Sequence, residues 1–202
     1  MTLLEFKEKA LVTNEDAVFV INVTDFNTVK SYIAGGVDDK VTKLLWALWV
    51  DREKYNEQQI IESLLSALFG TSTDIRWKAG TTALMFARRA GCEPILMAEV
   101  QAKWPSFVEQ QTVSFLAAFS GFDGAEDWLS CLSHLFDSSP SIDVRARIIN
   151  TIHNLYKVKP SSENQLVLKN QLERMPVMET AYRRVGNFQF IKKLKTGTSS
   201  FG

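Results

Sequence analysis

The sequence contains few cysteines, prolines and glycines, and this excludes several classes of protein. Its 202 residues include two Cys, five Pro and ten Gly. Two cysteines form no disulfide framework and have no metal-ligand spacing, so Cys92 and Cys131 are expected to be buried thiols in a reducing compartment. The low content of Pro and Gly argues against disorder and against a turn-rich all-β fold.

Long apolar runs are also absent. No run reaches the roughly 18 residues that a membrane span requires. The first residues, MTLLEFKEKA, include acidic side chains and no long apolar core, which is not the pattern of a secretory signal. The expected location is therefore the cytoplasm.

Catalytic and cofactor motifs are missing as well. The chain has no Gly-rich phosphate loop, no H-E-x-x-H and no G-x-S-x-G. Cys131 and His134 lie three residues apart, so on a helix they could share a face as a nucleophile and base or as half of a metal site. The only other histidine is His153, and no further Cys or His completes four ligands. We therefore expect no enzyme, no metal and no cofactor.

The charges are balanced overall but unevenly distributed. Residues 140–202 contain 11 Lys and Arg against 4 Asp and Glu, a net charge of +7. The preceding residues contain 12 against 19, a net charge of −7. A basic end and an acidic end can bind different partners, or each other in neighbouring molecules.

One helical opening occurs twice in the chain, in TDIRWKAGTTALMFARRAG and in SIDVRARIINTIHNLYK. Four apolar positions of the first segment recur 69 residues later, with the i, i+4, i+8, i+11 spacing of one helix face. These positions are Ile75, Ala79, Ala83 and Phe86, then Val144, Ile148, Ile152 and Leu155. The pattern predicts two equivalent amphipathic helices.

Weaker copies of the apolar pattern extend the two helices into a series of five, whose patterns begin at residues 41, 75, 108, 144 and 177. Their members are Val41, Leu45 and Trp49; Val108, Thr112, Leu116 and Phe119; and Val177, Ala181, Val185 and Phe188. Shorter apolar helices are expected between them over Glu57–Phe69 after an Asn56 cap, Pro94–Trp104, Ala125–Phe136 and Glu163–Arg174. Helix pairs at a period of about 34 residues are typical of an α-solenoid.

STDIRWKAGTTALMFA and SPSIDVRARIINTIHNL resemble the HEAT-repeat family, which has an Asp near the inter-helix turn and a Val-Arg pair opening the second helix. Two repeats match well. Three match by period only, with Thr42, Glu109 and Met178 where the family has Arg. The resemblance implies an all-α, right-handed superhelix of about five helix pairs, close to armadillo-type stacking. It also implies that Asp74, Arg76, Asp143 and Arg145 form a structural hydrogen-bonded ladder.

We expect three regions: an N-terminal helical cap over 1–36, the repeats over 37–190, and a basic tail over 191–202. Within the cap, AVFVINV (Ala17–Val23) has the β-branched residues of a strand, but a lone strand has no partner and Asn14 precedes two acids. A helix is therefore expected there. A second helix is expected over Asp25–Ala34, stopped by Gly35 and Gly36.

The candidate binding element is the basic strip near the C-terminus, where cations alternate with aromatic residues. Its residues are Arg183, Arg184, Lys192, Lys193, Lys195 and the apolar Phe201. Such a strip suits an acidic protein surface, including the acidic part of a second copy bound head to tail, whereas nucleic acid is a less favoured ligand. Anionic lipid is another candidate ligand for basic residues interleaved with aromatic ones. A solvated last helix is the structural alternative.

The predicted function is protein–protein binding as a scaffold or adaptor subunit. One alternative is a stand-alone bacterial immunity protein that neutralises a toxin. Another is a nucleic-acid-acting protein like the HEAT-like DNA glycosylases, suggested by Trp77 between Arg76 and Lys78. The remaining tryptophans, Trp46, Trp49, Trp104 and Trp128, are expected to pack between repeats.

Overall fold

The structure is a computed structural model, and it describes residues 1–70, 77–122, 125–139 and 141–158, apart from the side chains of 38, 77, 121, 125–126 and 153–158. Across this part of the chain the regular elements are all helices, as predicted. They belong to two compact units, Met1–Ala102 with Phe107–Asp123, and Lys103–Ser106 with Gly124–Gly202. The predicted boundaries at residues 36 and 190 stay predictions.

The helices alternate with short connections. In order they are α1 (Leu3–Glu8), α2 (Asn14–Val23), α3 (Phe26–Gly35), α4 (Asp38–Val50), α5 (Glu57–Leu68), α6 (Trp77–Ala90), α7 (Glu93–Lys103), α8 (Glu109–Ala118), α9 (Leu129–Ser138) and α10 (Ile142–Val158). Single 3₁₀ turns occupy Arg52–Lys54, Trp104–Ser106, Phe119–Gly121 and Ala125–Trp128. The expected helix over Ala125–Phe136 therefore begins with a 3₁₀ turn.

Local side-chain bonds fix where several helices begin. Asn56 caps α5 as predicted, because its side chain accepts from the Gln59 N–H at 2.9 Å while the Gln59 side chain accepts from the Asn56 N–H at 3.0 Å. Thr13 caps α2 with the same reciprocal pattern to Asp16. This cap and the burial of one apolar face outweigh the strand propensity of the β-branched residues in α2.

The first unit packs its helices in a regular order. α2 packs against α4, α4 against α6, and α6 against α8, while α3 packs against α5 and α5 against α6. α4, α6 and α8 are the helices on which the apolar quartet recurs. The recurrence in sequence therefore corresponds to lateral neighbours in the first unit.

The predicted core faces are buried at most positions that the structure describes. Val41, Leu45, Ala79, Ala83, Phe86, Thr112, Leu116, Phe119, Val144, Ile148 and Ile152 are all buried. Ile75, the quartet that starts at Val177 and the helix over Glu163–Arg174 lie outside the described residues, and so does the side chain of Leu155.

Val108 contradicts the prediction, because its side chain is 62% exposed. α8 begins one residue later, at Glu109, and Val108 is the N-cap, with its backbone N–H donating to Gln111 Oε1 at 3.0 Å. A residue with extended backbone at the cap does not share the helix face that the spacing assumed.

Hydrogen bonds between distant parts of the chain connect residues about one predicted repeat apart. The separation is 32 residues for Lys30 and Glu62, 34 for Tyr55 and Ile21, and 35 for Trp104 and Ser139. Among the described residues, the sequence separation of other such bonds ranges from 29 residues, for Asn22 with Asp51, to 42 residues, for Gln111 with Phe69. Each of these bonds lies within a single unit.

In the second unit, α9 packs against α10 around a buried serine. Ser139 is 1% exposed, and its hydroxyl accepts from Trp104 Nε1 at 2.7 Å and donates to the Leu135 carbonyl at 2.6 Å. Trp104 and Trp128 are buried, and their packing between repeats stays a prediction. In the first unit, Trp49 is half-buried and stacks on Phe86, with ring centroids 5.9 Å apart.

The predicted internal bond of Arg145 is confirmed, although its partner lies in the adjoining turn. Its Nε–H donates to the Ser139 carbonyl at 2.6 Å, and its guanidinium lies 5.7 Å from the Phe136 ring centroid. Two other predicted members, Asp74 and Arg76, lie outside the described residues, and Asp143 lies in the first turn of α10. The described bond joins α10 to the connection after α9.

Arg145→Leu should destabilise the protein by about 1–2 kcal/mol, because it removes a charge-assisted hydrogen bond to a carbonyl beside a buried serine. Arg89→Leu is the control, since Arg89 is an exposed arginine at the end of α6. Chemical denaturation of both variants measures the difference. Equal midpoints for the two variants would show that the Arg145 bond contributes nothing.

Candidate binding groove

The predicted basic strip cannot be placed, because Arg183, Arg184, Lys192, Lys193, Lys195 and Phe201 lie outside the described residues. The structure does, however, reveal a groove at the other end of the sequence. It lies among α1, α3 and the start of α4, is open to solvent, and has a volume of about 680 Å³. That size falls within the usual range for ligand sites. Its described lining residues are Lys7, Asn27, Thr28, Ser31, Tyr32, Gly35, Gly36, Val37 and Lys40.

Tyr32 forms a fixed wall of the groove. Its ring packs edge-on against Phe6, which is fully buried and anchors α1, with centroids 6.4 Å apart. On another side lies Gly36, where an added Cβ would be 2.9 Å from the Tyr32 ring and 2.8 Å from the Tyr32 carbonyl oxygen. Glycine is thus required at Gly36 by the close approach of Tyr32. The Gly35–Gly36 pair, expected only as a helix stop, also shapes the groove.

Two lysines supply the charge of the groove. Lys7 Nζ lies 5.0 Å from the centroid of the Tyr32 ring, a cation–π contact. Lys40 Nζ donates to the backbone carbonyl of Lys7, which ties the start of α4 to α1. Among the side chains that the structure describes, no carboxylate forms an ion pair with either ammonium group.

Three other lysines of the first unit, Lys9, Lys30 and Lys54, form ion pairs with acidic side chains. Lys9 pairs with Asp16 and Lys30 with Glu62, each at 2.6 Å. The hydrogen bond from Lys9 lowers the pKa of Asp16, with backbone bonds at the Thr13 cap adding to the effect. In contrast to these pairs, the contacts of the Lys7 and Lys40 ammonium groups among the described residues are with the Tyr32 ring and the Lys7 carbonyl. Their positive charges therefore remain available to an anionic ligand.

The polar groups of the groove complement the lysines. Ser31 and Tyr32 contribute hydroxyls and Asn27 contributes an amide, and none of the described lining residues is acidic. The Thr28 hydroxyl is hydrogen-bonded to the Asp25 carboxylate and lowers its pKa. Hydroxyls and amides can donate to a carboxylate beside an ammonium group, and the combination favours an anion over a cation. The geometry thus supports recognition of negative charge.

Cys131 and His134, which could share a helix face, differ in exposure on α9. Cys131 is 2% exposed, whereas the side chain of His134 is exposed. Cys131 therefore lies within the buried face of α9, and His134, three residues later, lies just beyond that face. Cys92 is also buried, and desolvation raises the pKa of its thiol. Both cysteines are thiols rather than members of a disulfide, and Cys92 in particular is disfavoured as a thiolate nucleophile.

No group of three or more His, Cys, Asp or Glu side chains in the placed part of the chain could hold a metal ion. Over the same residues, no helix has both the length and the hydropathy to cross a membrane.

Sequence reasoning missed the groove because its two cations lie on different helices and belong to no local cluster. One signal could have revealed them: Lys7 and Lys40 are 33 residues apart, close to the predicted period. Equivalent positions of adjacent repeats become neighbours when the repeats stack. Two like charges at that separation in the sequence are therefore candidates for a shared charged surface.

No family model matches the sequence, and no curated protein or solved structure matches it.

Proposed function

We propose that the protein is a protein-binding module of the HEAT-like type, built as a right-handed α-solenoid of about five helix pairs. Two findings support the repeat architecture. The helices that carry the recurring quartet pack side by side in the first unit. Hydrogen bonds between distant residues also join positions about one repeat apart, for example 34 residues for Tyr55 and Ile21.

The groove between α1, α3 and α4 is the single observation that carries the binding function. It combines a volume of about 680 Å³ with two lysines that have no acidic partner among the described side chains. A groove with an anchored aromatic wall and two lysines outside the described ion pairs is suited to binding a negatively charged ligand. The best-supported role is that of a scaffold or adaptor subunit that holds a partner protein.

The glycosylase-like alternative is less well supported. Residues 1–139 contain 12 Lys and Arg against 19 Asp and Glu, and this negative charge opposes contact with a phosphate backbone. Trp77, which suggested that alternative, has no described side chain. An inhibitor that neutralises a toxin would use the same kind of surface as an adaptor, and the identity of the partner decides between these two roles.

Affinity capture of the full chain from its native cells, with and without nuclease treatment, tests the proposal. We expect one protein to be retained in stoichiometric amount and to stay bound after nuclease treatment and purification. Recovery of nucleic acid with no stoichiometric protein would contradict a protein-binding function. Size-exclusion chromatography of the purified chain alone provides the control for self-association.

A further inference from the structure

We propose that the groove of Lys7 and Lys40 recognises a short acidic segment of a partner protein, an extended chain whose Asp or Glu side chains reach the two lysines. This inference rests on the proposed protein-binding function and specifies the chemistry of the partner. About six extended residues span roughly 20 Å, a length suited to an open groove rather than to a closed cavity.

The positions of the two cations favour carboxylates as ligands. Lys7 is held over the Tyr32 ring, with its ammonium group 5.0 Å from the centroid, and Lys40 is held by the carbonyl of the Lys7 residue. Both ammonium groups are therefore partly pre-positioned, which reduces the side-chain entropy lost on binding. An ammonium group has three donors, so each lysine can bind a carboxylate while keeping its present contact.

The surrounding charge favours a short acidic segment over a long polyanion. A nucleic acid carries regularly spaced phosphates that would continue past the groove onto a region with a net charge of −7 over residues 1–139. A peptide with two or three carboxylates can place all of its negative charge beside Lys7 and Lys40, without extending onto the acidic region. The positive charge of Lys7 and Lys40 disfavours the chain's own segment from residue 140 onward, whose net charge is +7.

The experiment is a binding titration of the full chain followed by fluorescence anisotropy. The probe is a labelled peptide of about six residues, a length set by the extended-chain rise, in which Glu alternates with Gly or Ser. The matched peptide has Gln in place of every Glu. A short oligothymidine strand and inorganic phosphate are the comparison ligands, and each titration is repeated with added salt.

We expect the Glu peptide to bind and the Gln peptide to bind at least about tenfold more weakly, with affinity falling as salt is added. Lys7→Glu combined with Lys40→Glu should weaken binding of the Glu peptide at least about tenfold, because two attractions become two repulsions. The pair Lys7→Arg and Lys40→Arg should retain most of the affinity. Arg89→Glu makes a charge reversal at an exposed arginine outside the groove lining and should leave binding unchanged.

The competing outcomes are distinct. Equal binding of the Glu and Gln peptides, or no binding of either, would overturn the inference. Tighter binding of oligothymidine or phosphate that also depends on Lys7 and Lys40 would overturn it in favour of a phosphate site. If the variant with both lysines changed to Glu still binds the protein captured from cells, the groove is not the binding site of that protein. The broader proposal of a protein-binding module then stands. Far-UV circular dichroism of the variant confirms that it remains folded.

Discussion

Ala83→Asp is expected to unfold the first unit. Ala83 is 0% exposed in the middle of α6, between two other fully buried alanines, Ala79 and Ala87. A carboxylate there would lose its hydration in an apolar environment that offers no cation on the described side chains of its own face. The cost of an unpaired buried charge, about 3–5 kcal/mol, is a large part of the 5–15 kcal/mol that holds a typical domain together.

The control for this substitution lies on the same helix. Met85 is 38% exposed, so Met85→Asp places the same charge on the solvent side of α6. Thermal unfolding monitored by circular dichroism should show a normal transition for Met85→Asp and a lost or greatly lowered one for Ala83→Asp. Similar melting temperatures for the two variants would show that the buried face of α6 has been assigned wrongly.

The sequence predicted the helices and their core faces well because both depend on local chemistry. Asn56 and Gln59 form the cap of α5 by themselves, and Ala79, Ala83 and Phe86 are buried as their spacing predicted. Prediction failed at one end of the pattern, at Val108. The difference between a cap residue and the first helical residue is a single position, and periodicity alone cannot locate it.

The candidate site was not predictable in the same way. The basic strip of residues 183–195 is recognisable in the sequence because its cations are close together in the chain, but a groove requires only that cations be adjacent in space. Lys7 and Lys40 meet because Phe6 anchors α1 beside Tyr32 and because Gly36 admits the Tyr32 ring. Those contacts depend on the packing of three helices, which the local pattern does not encode.

Gly80→Val should destabilise the first unit by about 3 kcal/mol, the upper end of the usual cost of overpacking. Gly80 lies in α6, and a Cβ built there would be 2.7 Å from Ala118 Cβ, at the end of α8. The next residue also fixes this contact, because the Thr81 hydroxyl donates to the Ala118 carbonyl at 2.7 Å. The two helices therefore have no room for a branched side chain unless one of them moves.

Gly35→Val is the matched control. Gly35 ends α3, and a Cβ at that position would meet nothing within 4 Å. Valine is a slightly better helix former than glycine, so this substitution should change the free energy of unfolding by no more than about 0.5 kcal/mol. Denaturant unfolding of the two variants separates the steric cost at Gly80 from the general effect of replacing a helical glycine.

A double-mutant cycle tests whether the contact with Ala118 is the cause. Gly80→Ala should destabilise despite a gain of about 1 kcal/mol in helix propensity, because its new Cβ meets a short side chain that cannot rotate away. Ala118→Gly removes the opposing methyl group and should recover part of the loss, with a coupling energy of about 1 kcal/mol. If the two substitutions were additive, α6 and α8 would not be in the close contact described, and the lateral packing of these two helices would have to be reconsidered.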